Sequence, residues 1–344
     1  MPGHWIKTNG GYPVIYRTHN RDLSGSRGTL ATGIGALATI LLMTTVAVFL
    51  LGLLGLGGVW LVQTSAIPGG DSSTNLDLLL SGSAGLYASG IFPAIVGTAV
   101  LTILMTLVVA PLGVVVALYL GEYAGSSRYT VILRIAIQNL AAVPSVIYGV
   151  FALGFFVYVV GGRIDELLFG TSLPAPTFGK PGLLWAALTL ALLTLPTVIV
   201  ATEEGLYRLP RSFKDGSLAL GATQGETVLR ILLPGAAPSI LTGVVLAIAR
   251  AAGEVAPLML VGVVKYAPRL PVSGDTPYLH LDQKFMHLGF MVYDVAIHTP
   301  DGPDRAGLIA AASLLLISVV ILLNMAAQLL RSRLRKRFPH NELY

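Results

Sequence analysis

A chain of 344 residues that is 54% hydrophobic and 11% charged, with a positive mean hydropathy, is too apolar and too thinly charged for a water-soluble globular fold. Its net charge of +5 comes from basic residues flanking apolar runs, and no basic patch interleaved with aromatics appears, which argues against a nucleic-acid partner. With no cysteine there is no disulfide framework, no thiol nucleophile and no thiolate metal site.

Residues 1–29 carry Lys7, Arg17, Arg21 and Arg27 and read as a short cytoplasmic tail. No charge occurs from Gly28 to Gly70, and a first span is expected over 30–62, since a crossing needs about 20 residues. Basic residues before an apolar run, with Thr64-Ser65-Ala66 after it, also describe a secretory signal. The run is about twice the length of a signal's apolar core, so an uncleaved helix is expected. Residues 63–90 are Gly- and Ser-rich with Asp71 and Asp77 but no Lys or Arg, which places them outside. The second span, 91–120, contains Pro111, which is expected to kink it.

A third span over 137–160 is interrupted early by Pro144, and the fourth, 183–201, contains Pro196. Residues 202–234 form a polar segment with charges of both signs before a fifth span over 235–264. The longest connection, 265–306, is expected to be a periplasmic loop with structure or function of its own. A sixth span, 307–330, runs into a basic tail, 331–344. Fifteen Lys and Arg fall on the side of the termini and the 202–234 segment, against six in the opposite loops. By the positive-inside rule both termini are cytoplasmic, giving an all-α membrane protein with six transmembrane helices.

The polar segment has a fixed internal order: Asp215-Gly216-Ser217, three residues, Gly221, nine residues, then Ile231-Leu232-Leu233-Pro234. Physically this predicts a helix to about Leu220, a turn at Gly221 where positive φ is free of steric cost, and a second helix leading to Pro234. Leu218 and Leu220, at the end of a segment too charged for lipid, suit a short helix that docks into a groove on a partner. The spacing resembles, position for position, the E-A-A, x3, G, x9, I-x-L-P loop of the permeases of bacterial ABC importers. The departures are Asp215 for Glu and Gly216 and Ser217 for Ala, and Gly weakens a helix by about 1 kcal/mol against Ala. Two further stretches, Val143-Pro144-Ser145-Val146-Ile147-Tyr148-Gly149-Val150-Phe151 and Arg250-Ala251-Ala252-Gly253-Glu254-Val255-Ala256-Pro257-Leu258, are similar to signatures of phosphate importer permeases of the PstA type. In the second, Val255 stands where the family usually has Thr, which removes one hydroxyl. The run His280 to Gly289 also resembles the outer loop of some members.

Arg250 and Glu254 are the only charges between Arg230 and Lys265. At i and i+4 they share a helix face, and together they make insertion of this span roughly neutral, the pair opposing it by about 5–7 kcal/mol and the aliphatic residues favouring it by a similar amount. Such a span belongs inside a bundle. Gly243, Ala247 and Ala251, spaced by four, form a ridge that lets another helix approach. Arg250 and Glu254 then either neutralise each other and pin packing, or form an anion pathway in which Arg250 attracts substrate and Glu254 holds or releases the guanidinium. A planar fork of donors suits an oxyanion such as phosphate. Ser145 and Tyr148 are weaker candidates for the same pathway, and Asn139 and Asn324 read as interhelical hydrogen bonders. His280 and His287 lack a third ligand nearby, so no metal site is expected.

No G-x-x-x-x-G-K-[ST] loop exists, since Gly179-Lys180 is followed by Pro181, so the chain is not expected to hydrolyse ATP or to bind a cofactor itself. No catalytic residues are expected. The resemblance implies a type I ABC importer permease fold in the bacterial inner membrane and a role as the phosphate-translocating subunit. It also implies partners: a homologous second permease (PstC type), a cytosolic ATPase dimer (PstB type) carrying ATP and Mg, and a periplasmic phosphate-binding protein (PstS type). The implied coupling residues are Asp215, Gly216, Ser217, Leu218, Leu220, Gly221, Ile231, Leu233 and Pro234. The alternatives are a permease for another oxyanion, an ATPase-independent secondary anion carrier or channel, and a structural partner that lines no pathway.

Overall fold

The computed structural model describes residues 41, 43–59, 64–65, 73–74, 91–125, 127–170, 176–267, 269–274, 276, 278–298 and 305–337. The expected N-terminal tail, the start of the first span, most of 63–90 and the end of the C-terminal tail lie outside these. The described elements are helical apart from a two-residue antiparallel ladder, Thr64–Ser65 with Ser73–Thr74, and two isolated bridges. The helices are α1 (Met43–Val59), α2 (Ile91–Leu118, continuing as a π-turn over Tyr119–Tyr123), α3 (Arg128–Ala141), α4 (145–169), α5 (Leu183–Tyr207), α6 (Arg211–Ala219), α7 (Gln224–Gly253), α8 (Leu258–Val261), α9 (Leu288–His298) and α10 (Arg305–Arg337). Among the described residues, five stretches, Phe92–Tyr123, Ser145–Leu168, Leu183–Tyr207, Gln224–Gly253 and Ile309–Leu329, are long and apolar enough to cross a bilayer.

Small residues set the packing. A Cβ on Gly113 of α2 would sit 2.7 Å from the Val198 side chain of α5. One on Gly243 of α7 would sit 2.7 Å from Ala201 Cβ, also on α5. Backbones this close maximise dispersion contact where lipid offers no hydrophobic drive, so α5 is the helix that α2 and α7 grip from two sides. Thr98, Thr102, Thr189, Thr194 and Thr202 are buried, and each donates its hydroxyl to the carbonyl four residues earlier, which satisfies it without a partner helix.

The fourth span, α5, runs on to Tyr207, into the expected polar segment, and two spans differ more from the sequence reading. The third does not run from Ile137: α3 ends at Ala141, and Pro144, extended at ψ 136°, starts a new helix at Ser145. A proline ring disfavours a helical conformation in the residue before it, and this break is the result. The Tyr148 hydroxyl donates to the Leu140 carbonyl across the break at 2.5 Å. The fifth span begins earlier and ends sooner. Residues Gln224 to Gly253 form one helix that takes in Pro234 directly after a π-turn, Val228–Leu232, and then stops with Glu254 extended at ψ 130°. Had α7 continued, the Pro257 ring would have met the Gly253 carbonyl.

The connection after α8 folds back onto the bundle. Leu183 and Leu184 donate their backbone N–H groups to the carbonyls of Gln283 and Leu281, both at 2.9 Å, so the loop caps the start of α5. Gly262, at φ 139°, lies against Gly182. His287 is fully buried beside α2, its Nδ1 accepting from the Gly289 N–H at 3.1 Å, while Leu288 N–H donates to the Thr98 hydroxyl at 3.0 Å. Burial pushes the His287 imidazole down to about 4, so it is neutral in the folded chain at neutral pH. Between about 4 and the ordinary 6.5 the unfolded loop binds the extra proton. Stability is therefore full above 6.5 and falls on acidification by up to about 1.4 kcal/mol per pH unit. His287→Gln is expected to flatten this acid limb in a thermal-melting series from pH 7 to pH 4.5, and an unchanged limb would assign it to other groups.

Candidate functional site: a charge pair at a helix end and an exposed hairpin

Arg250 occupies the last turn of α7 and Glu254 the extended residue just past its end, so they do not share a continuous helix face as the spacing suggested. They still meet, with Arg250 Nε 3.3 Å from Glu254 Oε1 and side chains 37% and 20% exposed. Among the described residues the other guanidinium nitrogens have no partner. The pair is therefore under-satisfied: a fork with five donors uses one of them.

The two stretches singled out separately in the sequence are in contact. A Cβ on Gly149 of α4 would lie 2.8 Å from both Cα and O of Pro257, so only glycine lets α4 rest on the turn that ends the Arg250 helix. Tyr148 is brought beside this region and lies within electrostatic reach of Arg250, but its hydroxyl is occupied by the Leu140 carbonyl. Its observed role is to splint the α3–α4 break. Ser145 is half-buried as the first residue of α4, and its hydroxyl has no partner among the described residues.

At the other site, α6 and the start of α7 form a helical hairpin. Helix α6 buries none of its residues, and Leu218 and Leu220 are exposed, Leu220 by 91%. The chain leaves α6 through Gly221 at φ 86°, with Gly221 N–H donating to the Leu218 carbonyl and Ala222 N–H to that of Ser217. A capping box then starts α7: Glu226 N–H donates to the Thr223 hydroxyl, and Thr223 N–H to the Glu226 carboxylate. Asp215 and Gly216 are exposed on α6, while Ser217 hydrogen-bonds Thr227 across the hairpin at 2.9 Å. Ile231, Leu233 and Pro234 are half-buried on α7, and it is the unspecified Leu232 between them that packs into the core with Leu206, Val228 and Ala236. Phe213, Leu220, Gly221 and Ile231 line an open hollow of about 610 Å³.

The Gly216 backbone has nothing within 4 Å of where a Cβ would be. Gly216→Ala is thus expected to leave the hairpin intact and to stabilise α6 by up to about 1 kcal/mol, read as raised helicity in a peptide spanning residues 208–234. A loss of helicity there would contradict the observed geometry.

Sequence reasoning missed the polar ties at this end of the molecule. Lys214 Nζ lies 2.5 Å from Glu122 Oε2, and Arg134 Nη2 lies 3.3 Å from Glu203 Oε1. These partners are far apart in the chain, and only the signs of their charges were available as a signal.

Residues 111–336 match the family described as binding-protein-dependent transport system inner membrane component. The "Phosphate transport system permease protein PstA 1" of Mycobacterium tuberculosis is 31% identical over 258 residues, 74% of each chain. The "Probable ABC transporter permease protein YqgH" of Bacillus subtilis is 32% identical over 259 residues, 75% of this chain and 78% of its own. A solved bacterial alginate ABC transporter, in complex with its pentasaccharide-bound periplasmic protein, contains a chain that superposes with TM-score 0.61 at 16% identity, covering 90% of this chain and 96% of that one. That likeness is one of fold. With the hairpin, the apolar helices and the family match in agreement, the chain belongs to the binding-protein-dependent transport system inner membrane components, the permease subunits of ABC importers.

Proposed function

We propose that the chain is the PstA-type permease of an ATP-driven inorganic phosphate importer in a bacterial inner membrane, with both termini and the α6–α7 hairpin on the cytoplasmic side. Arg250 carries this reading. Its guanidinium sits at the end of an apolar helix with one nitrogen paired to Glu254 and the rest free among the described residues, an arrangement that matches a tetrahedral oxyanion by bidentate hydrogen bonding. The phosphate-transport names of its relatives give the substrate, and the half-buried, unpaired Ser145 hydroxyl at the N-terminal, positive end of α4 adds a donor of the right polarity.

In this reading Leu218, Leu220 and Gly221 face a groove on a cytosolic ATPase dimer that holds ATP and Mg, a homologous second permease completes the pathway, and a periplasmic phosphate-binding protein delivers the substrate. Closure of the ATPases moves the hairpins and turns the cavity outward. Glu254 competes with phosphate for the guanidinium, so release follows when the carboxylate recovers it.

The test is uptake of radiolabelled phosphate by vesicles that contain the full importer. Uptake is expected to require ATP, the ATPase and the binding protein, and to resist excess sulfate and molybdate. Phosphate entry through this chain alone on a proton or sodium gradient would replace the reading with a secondary carrier, and competition by sulfate or molybdate would change the substrate.

A further inference from the structure

We propose that the π-turn ending α2, Tyr119–Tyr123, is the relay through which movement of α6 reaches the helix that carries Arg250, with Glu122 as its positioning residue. The proposal rests on the coupling role given to the hairpin above.

Helix α6 has no core of its own, since none of its residues is buried. Among the described residues its side chains are tied to the rest of the chain by two polar links: Lys214 to Glu122 at 2.5 Å, and Ser217 to Thr227 at 2.9 Å. Helix α6 is joined along the chain to α5 and α7 by short turns, and the Lys214 link adds a lateral route from it to α2. The Glu122 side chain is 13% exposed and that of Lys214 34%, so the ion pair is partly sheltered from water and salt. The same residue holds α7 as well, because Gln224 Nε2 donates to the Glu122 backbone carbonyl at 3.0 Å.

Widening of the helix here is what makes these contacts available. The i→i+5 bond from Ala124 N–H to the Tyr119 carbonyl, 2.8 Å, loosens the ladder, and the neighbouring Leu120 carbonyl accepts from Arg134 Nη2 at 2.9 Å. Arg134 in turn pairs with Glu203 of α5. One turn of α2 thus joins α3, α5, α6 and α7. Beyond it, the close contacts of Gly113 with Val198 and of Gly243 with Ala201 pack α2, α5 and α7 tightly together, a route by which a pull at Glu122 reaches the end of α7.

Charge reversal separates this role from simple packing. In the reconstituted importer, Glu122→Lys and Lys214→Glu are each expected to lower phosphate uptake per ATP hydrolysed by at least about tenfold while the ATPase still co-purifies. The double reversal is expected to restore uptake to within about threefold of wild type, and Glu122→Gln to fall between. Single reversals that transport normally, or a double reversal no better than the singles in an assembled complex, would overturn the relay alone. A wild-type importer with no ATP-dependent phosphate uptake would overturn the function proposed above together with it.

Discussion

Importer vesicles carrying Arg250→Ala are expected to take up phosphate about ten- to a hundredfold more slowly than wild type. Hydrogen bonds to a charged group contribute about 1.5–3 kcal/mol each, and 1.4 kcal/mol is a factor of ten. Removing the guanidinium also leaves the Glu254 carboxylate, 20% exposed, without its counter-charge on the proposed anion pathway. Arg250→Lys keeps the charge but loses the planar fork, so about a tenfold deficit is expected to remain. Glu254→Gln separates a pathway role from mutual neutralisation. A pathway predicts tighter phosphate binding with slower turnover, whereas a packing pair predicts that both neutralisations destabilise the chain alike. Normal uptake by Arg250→Ala with a lowered melting temperature would assign the pair to packing.

The second large effect is expected at the hairpin. Leu220 is 91% exposed in the isolated chain, and covering such a side chain contributes about 1.5–3 kcal/mol to docking. Leu220→Asp removes that and presents a charge to the partner groove, so co-purification of the ATPase is expected to fall at least about tenfold. Gly221→Asp acts through the backbone: at φ 86° a side chain costs about 1–2 kcal/mol, which shifts the turn and the leucine beside it. A complex that survives either substitution would remove the hairpin from the interface.

Much of this architecture was legible because its determinants are local. The apolar runs identified the membrane helices, and the interval from Asp215 to Gly221 to Pro234 announced a helix, a positive-φ turn and a second helix, which the chain adopts. Thr223-Gln224-Gly225-Glu226 was a readable capping box that the sequence reading passed over. The helix ends at Ala141 and Gly253 were less legible. Pro144 and Pro257 announced breaks, but Pro111 and Pro196 lie inside unbroken α2 and α5, and tertiary packing decides which prolines are absorbed. Contacts between distant residues were out of reach. Nothing in the chain order places Gly149 on Pro257, Lys214 on Glu122 or His287 beside Thr98. Tyr148, a weaker candidate for the pathway, makes a bond no periodicity reveals, the one to Leu140 across a helix break.

The fold-back of residues 281–283 onto the start of α5 gives the molecule a built-in reporter. The amide protons of Leu183 and Leu184 are shielded by carbonyls of that segment, not by the helix's own ladder. Deuterium incorporation at these two amides therefore times each lifting of the loop, independently of breathing along the rest of α5.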